Sequence, residues 1–510
     1  MTAALLLVST VAWAQQSQEL TQKYYPEPEG VSFTTPSFVY PCDDATNHAS
    51  YTDIMTWISE RVDKDPRAAL SYVGKTADGY DIPLVRIHDS SRGKAGSKVK
   101  VYFQGVLHGN EPASTEGVLM LLDYVLGDPE GSALLENTDL YIMPMANVDG
   151  YMAGTRASAL KYDLNRDQTK YADPQSAALR KVFLEIDPDM AVDFHEFNPF
   201  KSDYKEVGGA IFYDTLFLPT GHPNVDPGIR DAIIRYIRKP AEKTLESEGY
   251  SHYTYFTRSD VDGRMALVCG ARSAQSSSTS WSLSNAISIL VELRGIGMGK
   301  QCFERRTYNA FLIARSVLEQ ANQNAGQIKR IVSDANRRTI KAKAPVAALF
   351  HSNRHLDEVT FLDLQNNKTV KTEAVILDAL DCTVDIERSR PVAYAIEASQ
   401  TKAIENLKTL GLEVEILSRD KAFETESYVV TEDVIAEKEW EKIHTRKVSV
   451  RVEKGRTTLP AGTAIVRMNQ QNANYAPTVL EPESENGFVA FRVVEVQLGK
   501  TLPVYRIVKK

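Results

Sequence analysis

Sulfur is scarce in this chain. Its 510 residues carry four cysteines, and no two stand in the C-x-x-C spacing of a zinc knuckle or a redox pair. Long apolar runs are scarce as well. The N-terminal one, residues 3–13 within "MTAALLLVSTVAWAQQ", is too short to cross a bilayer, and no later segment qualifies as a transmembrane helix. Nor is there a surplus of positive charge. Lys and Arg number 59 against 67 Asp and Glu, for a net charge of −8. A general nucleic-acid binder needs a basic surface, so that class is disfavoured. A basic pocket inside an acidic protein stays compatible with this balance. Internal repeats and low-complexity tracts are absent too, which removes the solenoid architectures.

What is present reads as an exported globular protein. Apolar residues make up 43% and charged residues 25%, ordinary values for a folded soluble chain. The length suggests about two to four domains. Ala12-Trp13-Ala14 has the small-x-small pattern of a signal-peptidase site, so residues 1–14 are expected to be a signal peptide cleaved near Ala14. Export would place the protein in a periplasm or outside the cell. The n-region lacks Lys and Arg, and the alternative is a buried N-terminal helix. In an exported protein Cys42, Cys269, Cys302 and Cys382 can form two disulfides; four buried thiols is the other reading.

The chain divides by pattern. Residues 15–49 are rich in Pro, Ser, Thr and Tyr and read as an extended lead-in. From 50 to 325 strands alternate with helices. "KVKVYFQGV", "DLYIMPMAN", "MAVDFHEF" and "AISILVELR" read as strands. "YTDIMTWISERV", "TEGVLMLLDYVL", "DPQSAALRKVFLEI" and "RRTYNAFLIARSVLEQA" read as helices, and "IRDAIIRYIRKPAEKTLESEG" as a long one kinked at Pro240. This alternation predicts an α/β domain with a mixed, largely parallel sheet flanked by helices. Residues 326–345 read as a basic linker or helix extension, and 346–510 as a β-rich accessory region. Its expected strands include "EVTFLDL", "KTVKTEAVIL", "VAYAIEA", "LEVEIL", "KVSVRVE", "GTAIVRM" and "FVAFRVVEV".

Ligands in α/β sheets gather at the carboxyl ends of strands. His108 and Glu111, in "GVLHGNEPAS", lie just past one such strand, and His195 lies at the end of another. Two imidazoles and a carboxylate that converge would make a three-ligand zinc site with an open fourth position. A loop crowded with Asn147, Asp149, Gly150, Arg156, Asp163, Asn165 and Arg166 follows the strand "DLYIMPMAN" between these two. Glu292 stands inside the apolar strand "SILVELRG", where a carboxylate needs a partner or a function. A core ion pair with Arg294 is the plain alternative.

Taken in order, H-x-x-E, N-x-D-G, an arginine, D-x-N-R, a lone His after a strand and E-x-R at a strand end resemble the zinc carboxypeptidase family of carboxypeptidases A and B, over roughly residues 50–322. The resemblance implies a hydrolase, a metalloprotease binding one Zn2+ per chain through His108, Glu111 and His195. It implies that Asp163 orients His108 and that Glu292 moves the proton from the attacking water to the leaving amine. Arg156 would stabilise the oxyanion. Asn165 and Arg166 would grip the carboxylate of a peptide with a free C-terminus. The chain also departs from the family. The mobile tyrosine expected before the catalytic glutamate is missing from "GARSAQSSSTSWSLSNA"; Tyr250, Tyr253 and Tyr255 lie far upstream, and Arg272 is a candidate for a substitute donor. The alternatives are an amidase or deacylase of the same fold, acting on cell-wall peptides or acyl-amino acids, and a non-catalytic zinc-containing binding module. Residues 259–263, "SDVDG", lack most ligands of a calcium loop. His351 and His355 read as a solvated turn, and the serines 276–278 as a flexible loop. Asp260, Asp262, Arg264 and Arg272 are candidates for side-chain selection.

Overall fold

The computed structural model describes residues 23–42, 48–94 and 96–509. The expected signal peptide lies outside the described residues. In the part of the lead-in that is described, Tyr25 is buried and donates its hydroxyl to the carbonyl of Phe212 at 2.6 Å, while Arg305 donates to the carbonyl of Pro26 at 2.8 Å. The segment is strapped to the domain it precedes.

Among the described residues the strands form sheets of eight, five and six strands. The largest holds β1 (Ala68–Lys75), β2 (Asp81–Ile87), β3 (Val99–Gln104), β4 (Thr138–Met143), β5 (Met190–Phe197), β6 (Thr215–Leu218), β7 (His252–Thr254) and β8 (Ile287–Arg294), in the order β1-β2-β4-β3-β5-β8-β6-β7. Its centre, β4-β3-β5-β8, is parallel, and antiparallel pairs flank it. All eight residues of β5 are buried, as both faces of a parallel sheet must be when helices cover them.

The covering helices include α1 (Tyr51–Val62), α2 (Ala113–Gly127), α3 (Pro174–Ile186), α4 (Ser277–Leu283), α5 (Phe303–Gln323) and α6 (Ala325–Lys341). Their sequences explain their placement. In α1, Ser50 caps the first turn by accepting from Asp53 N, and Ile54, Trp57, Ile58 and Val62 form the buried stripe. In α3, Asp173 caps and Pro174 opens the first turn. Helices α2 and α5 approach so closely that a Cβ on Gly117 would lie 2.3 Å from Cβ of Ala310. The expected kink at Pro240 takes the form of a widened π turn over Ile234–Arg238, between the helices Pro227–Ile233 and Lys239–Ser247. Such a turn gives room to the proline ring and absorbs its missing amide.

The C-terminal third differs from the sequence reading in several places. Residues 325–341 form a helix of their own after a break at Asn324. The long hairpin Val346–Asp363 and Lys368–Arg388 pairs with Gly209–Ile211 and Arg264–Cys269, so a sheet crosses the boundary expected at 345. "FVAFRVVEV" is not a strand: Phe488, Val489, Phe491 and Val494 are buried in consecutive turns. The sheet position is taken by Thr501–Lys509, which pairs with Ala393–Ile396 and Lys421–Ile435. "LEVEIL" contributes only the two residues Glu415–Ile416. All four cysteines are free.

Candidate metal centre and active-site cleft

The chain leaves β3 at Gln104, and His108 and Glu111 follow before α2 begins. Ser114 ties this loop together, accepting from Val106 N at 2.9 Å and donating to the carbonyl of Glu111 at 2.7 Å. Gly109 packs directly on the next loop. A Cβ there would sit 1.9 Å from the carbonyl carbon of Gly150, far inside van der Waals contact. Asn147 braces the same junction: its Oδ1 accepts from Gly150 N, and its Nδ2 donates to the carbonyls of Leu107 and Arg156. The N-x-D-G stretch is therefore the seat on which the His108 loop rests.

His108, Glu111 and His195 converge, each offering a ligand atom within 4.8 Å of the others. Nδ1 of His108 lies 2.9 Å from Oε1 of Glu111, and Nδ1 of His195 lies 2.8 Å from Oε2 and 2.9 Å from Nδ1 of His108. The other ring nitrogens face carboxylates: Nε2 of His108 is 3.0 Å from Asp163 Oδ1, and Nε2 of His195 is 2.9 Å from Asp193 Oδ2. A carboxylate accepts, so both Nε2 atoms carry the proton. Both Nδ1 lone pairs then point at each other and at a carboxylate. A cation resolves that clash, and mixed nitrogen and oxygen donors of this kind suit Zn2+.

Charge in the cluster tells the same story. Burial works to raise the Glu111 pKa, but His108 and His195 outweigh it and hold the carboxyl well below its usual range. For Asp163, burial is likewise overcome, here by His108, Arg156 and Arg166. His195 is pulled up, because Asp193 and Glu111 overcome the effect of burial. Glu292 moves the other way: burial and the charge of Glu111 push its pKa up, against the two imidazoles and Arg156. The shifts of Glu111, Asp163 and His195 are those of closely packed opposite charges, and that of Glu292 is that of a buried carboxyl beside another carboxylate.

Glu292 and His195 are direct register partners on the parallel strands β8 and β5, so their side chains share a face. Among the described residues Glu292 forms no ion pair with Arg294, whose guanidinium instead lies over the Tyr25 ring at 4.2 Å and donates to the carbonyl of Ile211. Arg156 is gripped by Asp163, with Nε and Nη2 at 2.9 and 2.8 Å, and its Nη1 reaches Nδ1 of His108 at 3.1 Å and Glu111 at 3.6 Å. Asn165 is buried, and its Oδ1 accepts from Ser277 N at 2.8 Å. Arg166 lines a cavity of about 350 Å³ together with Tyr255 and Arg272.

Residues 54–206 match the zinc carboxypeptidase family. That span contains His108, Glu111, Arg156, Asp163, Asn165, Arg166 and His195. The chain contains a zinc carboxypeptidase domain. It is 28% identical over 446 residues to carboxypeptidase 2 of Trichophyton rubrum, covering 85% of this chain and 81% of that one. It is 39% identical over 98 residues to a metallocarboxypeptidase A-like protein of Trichophyton verrucosum, covering 19% of this chain and 22% of that one. Among solved structures, carboxypeptidase A from Helicoverpa armigera superposes with a TM-score of 0.43 at 16% identity, covering 61% of this chain and 82% of that one.

Several parts of this candidate site were not legible in the sequence. Asp193 holds His195, and it stands two residues before it on one strand, so the alternation in "VDFH" was the available signal. Gln104 and Ser277 in turn hold Asp193. The serines 276–278 are thus not a flexible loop but the buried start of α4. Tyr255, far upstream of Glu292 in the chain, lines the cavity beside Arg166. Three other candidates fall outside the cleft. Residues 259–263 include the tight Asp262-Gly263 turn of a β-hairpin. His351 and His355 lie exposed on a long strand rather than in a turn, with His351 paired to Asp385 at 2.8 Å.

Proposed function

We propose that this zinc carboxypeptidase is an exported exopeptidase that binds one Zn2+ through His108, Glu111 and His195 and releases the C-terminal residue of a peptide. The chief support is the convergence of two imidazole lone pairs and one carboxylate, with Glu292 in register beside His195. Zinc bound there would supply Lewis-acid polarisation of the water and of the scissile carbonyl.

The protein groups divide the remaining work. Asp163 and Asp193 keep the protons on Nε2 and so leave both Nδ1 atoms free to ligate. Glu292, half-buried and with its pKa raised, accepts a proton from the attacking water and returns it to the leaving nitrogen. Arg156, anchored by Asp163 with Nη1 turned to the cluster, donates to the oxygen on which charge develops. Arg166, with the amide of Asn165, binds the substrate carboxylate, since guanidinium matches carboxylate as a two-pronged donor. Export rests on the apolar run and small-x-small site at residues 3–14.

The test compares peptides differing only in a free or amidated C-terminus, with the released amino acid quantified. Release from the free form alone is expected. Equal cleavage of the amidated form would refute the carboxylate grip and favour an amidase.

A further inference from the structure

The cavity beside Arg166 is walled from both ends of the chain. Leu218, Val268 and Ala271 come from the first 325 residues, whereas Leu349, Phe350 and Trp440 come from beyond them. The later residues are built in. Phe350 accepts through its carbonyl from Arg272 Nη1 at 3.0 Å, and its ring meets His222 edge-on at 4.9 Å. Asn486 accepts from Ala274 N at 2.7 Å, fixing the loop before α4. Trp440 stacks on Phe491 with centroids 6.0 Å apart, and its turn is closed by Trp440 N donating to Ile443 O. Two residues on, Lys442 donates to the carbonyl of Leu160 and covers the Tyr162 ring at 4.0 Å. The Trp440 turn therefore lies against the loop that carries Arg156, Asp163 and Arg166.

The cavity carries little net charge beyond Arg166. Arg272 and Glu485 neutralise each other at 2.9 Å. His222 is buried, and burial followed by Arg230 and Arg272 pushes its pKa down to about 3, so it is uncharged. What remains is a mainly aromatic and aliphatic surface with a volume at the lower end of ordinary ligand pockets, about 300–1,000 Å³.

We propose that residues 346–510 complete the specificity pocket: Phe350 and Trp440 form its apolar wall, the Arg272–Glu485 pair cancels its charge, and it receives a large uncharged side chain, aromatic foremost, on the residue released. This rests on the carboxypeptidase reading above. It also gives Arg272 a role as a counter-charge rather than as a donor to substrate.

Binding is measured by calorimetry on zinc-loaded Glu292→Gln protein, with peptides ending in Phe, Gly, Lys or Glu, and turnover on the unaltered enzyme. The Phe peptide should bind at least about tenfold tighter than the Gly peptide. Trp440→Ala should remove most of that ratio and Trp440→Phe should restore it, which separates a lost wall from a misfolded protein. Arg272→Met leaves Glu485 unpaired and should raise binding of the Lys peptide relative to Phe by about tenfold. A ratio unchanged in both Trp440→Ala and Phe350→Ala, or tightest binding of the Lys or Glu peptide to the protein with its pocket intact, overturns the proposal. If the unaltered enzyme releases C-terminal residues without this preference, the pocket assignment fails and the carboxypeptidase reading stands. If the binding preference holds and no residue is released, the reverse is true.

Discussion

Replacing Asp193 with Asn changes almost no volume, yet it strikes the proposed metal centre through hydrogen-bond logic. Asp193 is fully buried. Its Oδ1 accepts from Gln104 Nε2 at 3.0 Å, and its Oδ2 accepts from His195 Nε2 at 2.9 Å and from the Ser277 hydroxyl. An amide offers one oxygen and one NH2. If the oxygen faces His195, the NH2 meets the Gln104 NH2, donor against donor. Gln104 must then turn over and withdraw Oε1 from the Tyr102 hydroxyl, which it now accepts from at 2.8 Å. If the NH2 faces His195 instead, Nε2 must become an acceptor. The imidazole proton moves to Nδ1 and blocks the lone pair aimed at the metal. Either arrangement weakens the site. Loss of such an orienting partner lowers metal affinity by about 10- to 100-fold, or about 1.4–2.7 kcal/mol. A chelator-competition titration of zinc would read this directly. The gap between the melting temperatures of metal-free and zinc-loaded protein should shrink in parallel. Asp193→Asn protein that binds zinc as tightly as the unaltered chain would refute the assignment of Asp193 as the group that orients His195.

Three further outcomes are expected. Gly109→Ala should lose about 1–3 kcal/mol or more of stability together with zinc affinity, because the added methyl meets the Gly150 carbonyl; a melt and a zinc assay matching the unaltered protein would contradict the close packing. Glu292→Gln should retain zinc while kcat falls about 10²- to 10⁴-fold. In the metal-free protein the Glu292 carboxyl should titrate above the ordinary carboxylate range, because burial and Glu111 favour its protonated form; an NMR titration that places it within that range would contradict this. His222 ordinarily titrates near 6.5 but is held at about 3 in the fold, so the native state disfavours its protonated form. Its contribution is complete above pH 6.5 and is lost as pH falls toward 3, by up to about 1.4 kcal/mol per pH unit. His222→Asn should flatten that part of the stability profile; an unchanged acid limb would exclude the histidine.

The parts of the site that could be read in the chain were those encoded at short range. His108 and Glu111 are close in sequence and follow an apolar run that reads as a buried strand. Asp163, Asn165 and Arg166 share one loop. In the C-terminal third the local signal misled: "FVAFRVVEV" has strand composition but is buried in turns, while Thr501–Lys509 takes a place in the sheet. Short apolar runs are ambiguous because burial can be satisfied by any backbone that is enclosed on all sides.

The sequence alone determined the alternation of strands and helices, the placing of polar residues within apolar strands, and an ordered set of candidate metal-ligating and charged side chains. Apolar periodicity and turn chemistry act between near neighbours, so they survive in a one-dimensional reading. Only the tertiary structure decided that β5 and β8 pair with His195 opposite Glu292, that Gln104 and Ser277 both reach Asp193, and that Phe350 and Trp440 close the cavity beside Arg166. Those contacts depend on sheet register and on packing between segments tens to hundreds of residues apart. A shift of a single residue in register would turn Glu292 to the other face of the sheet.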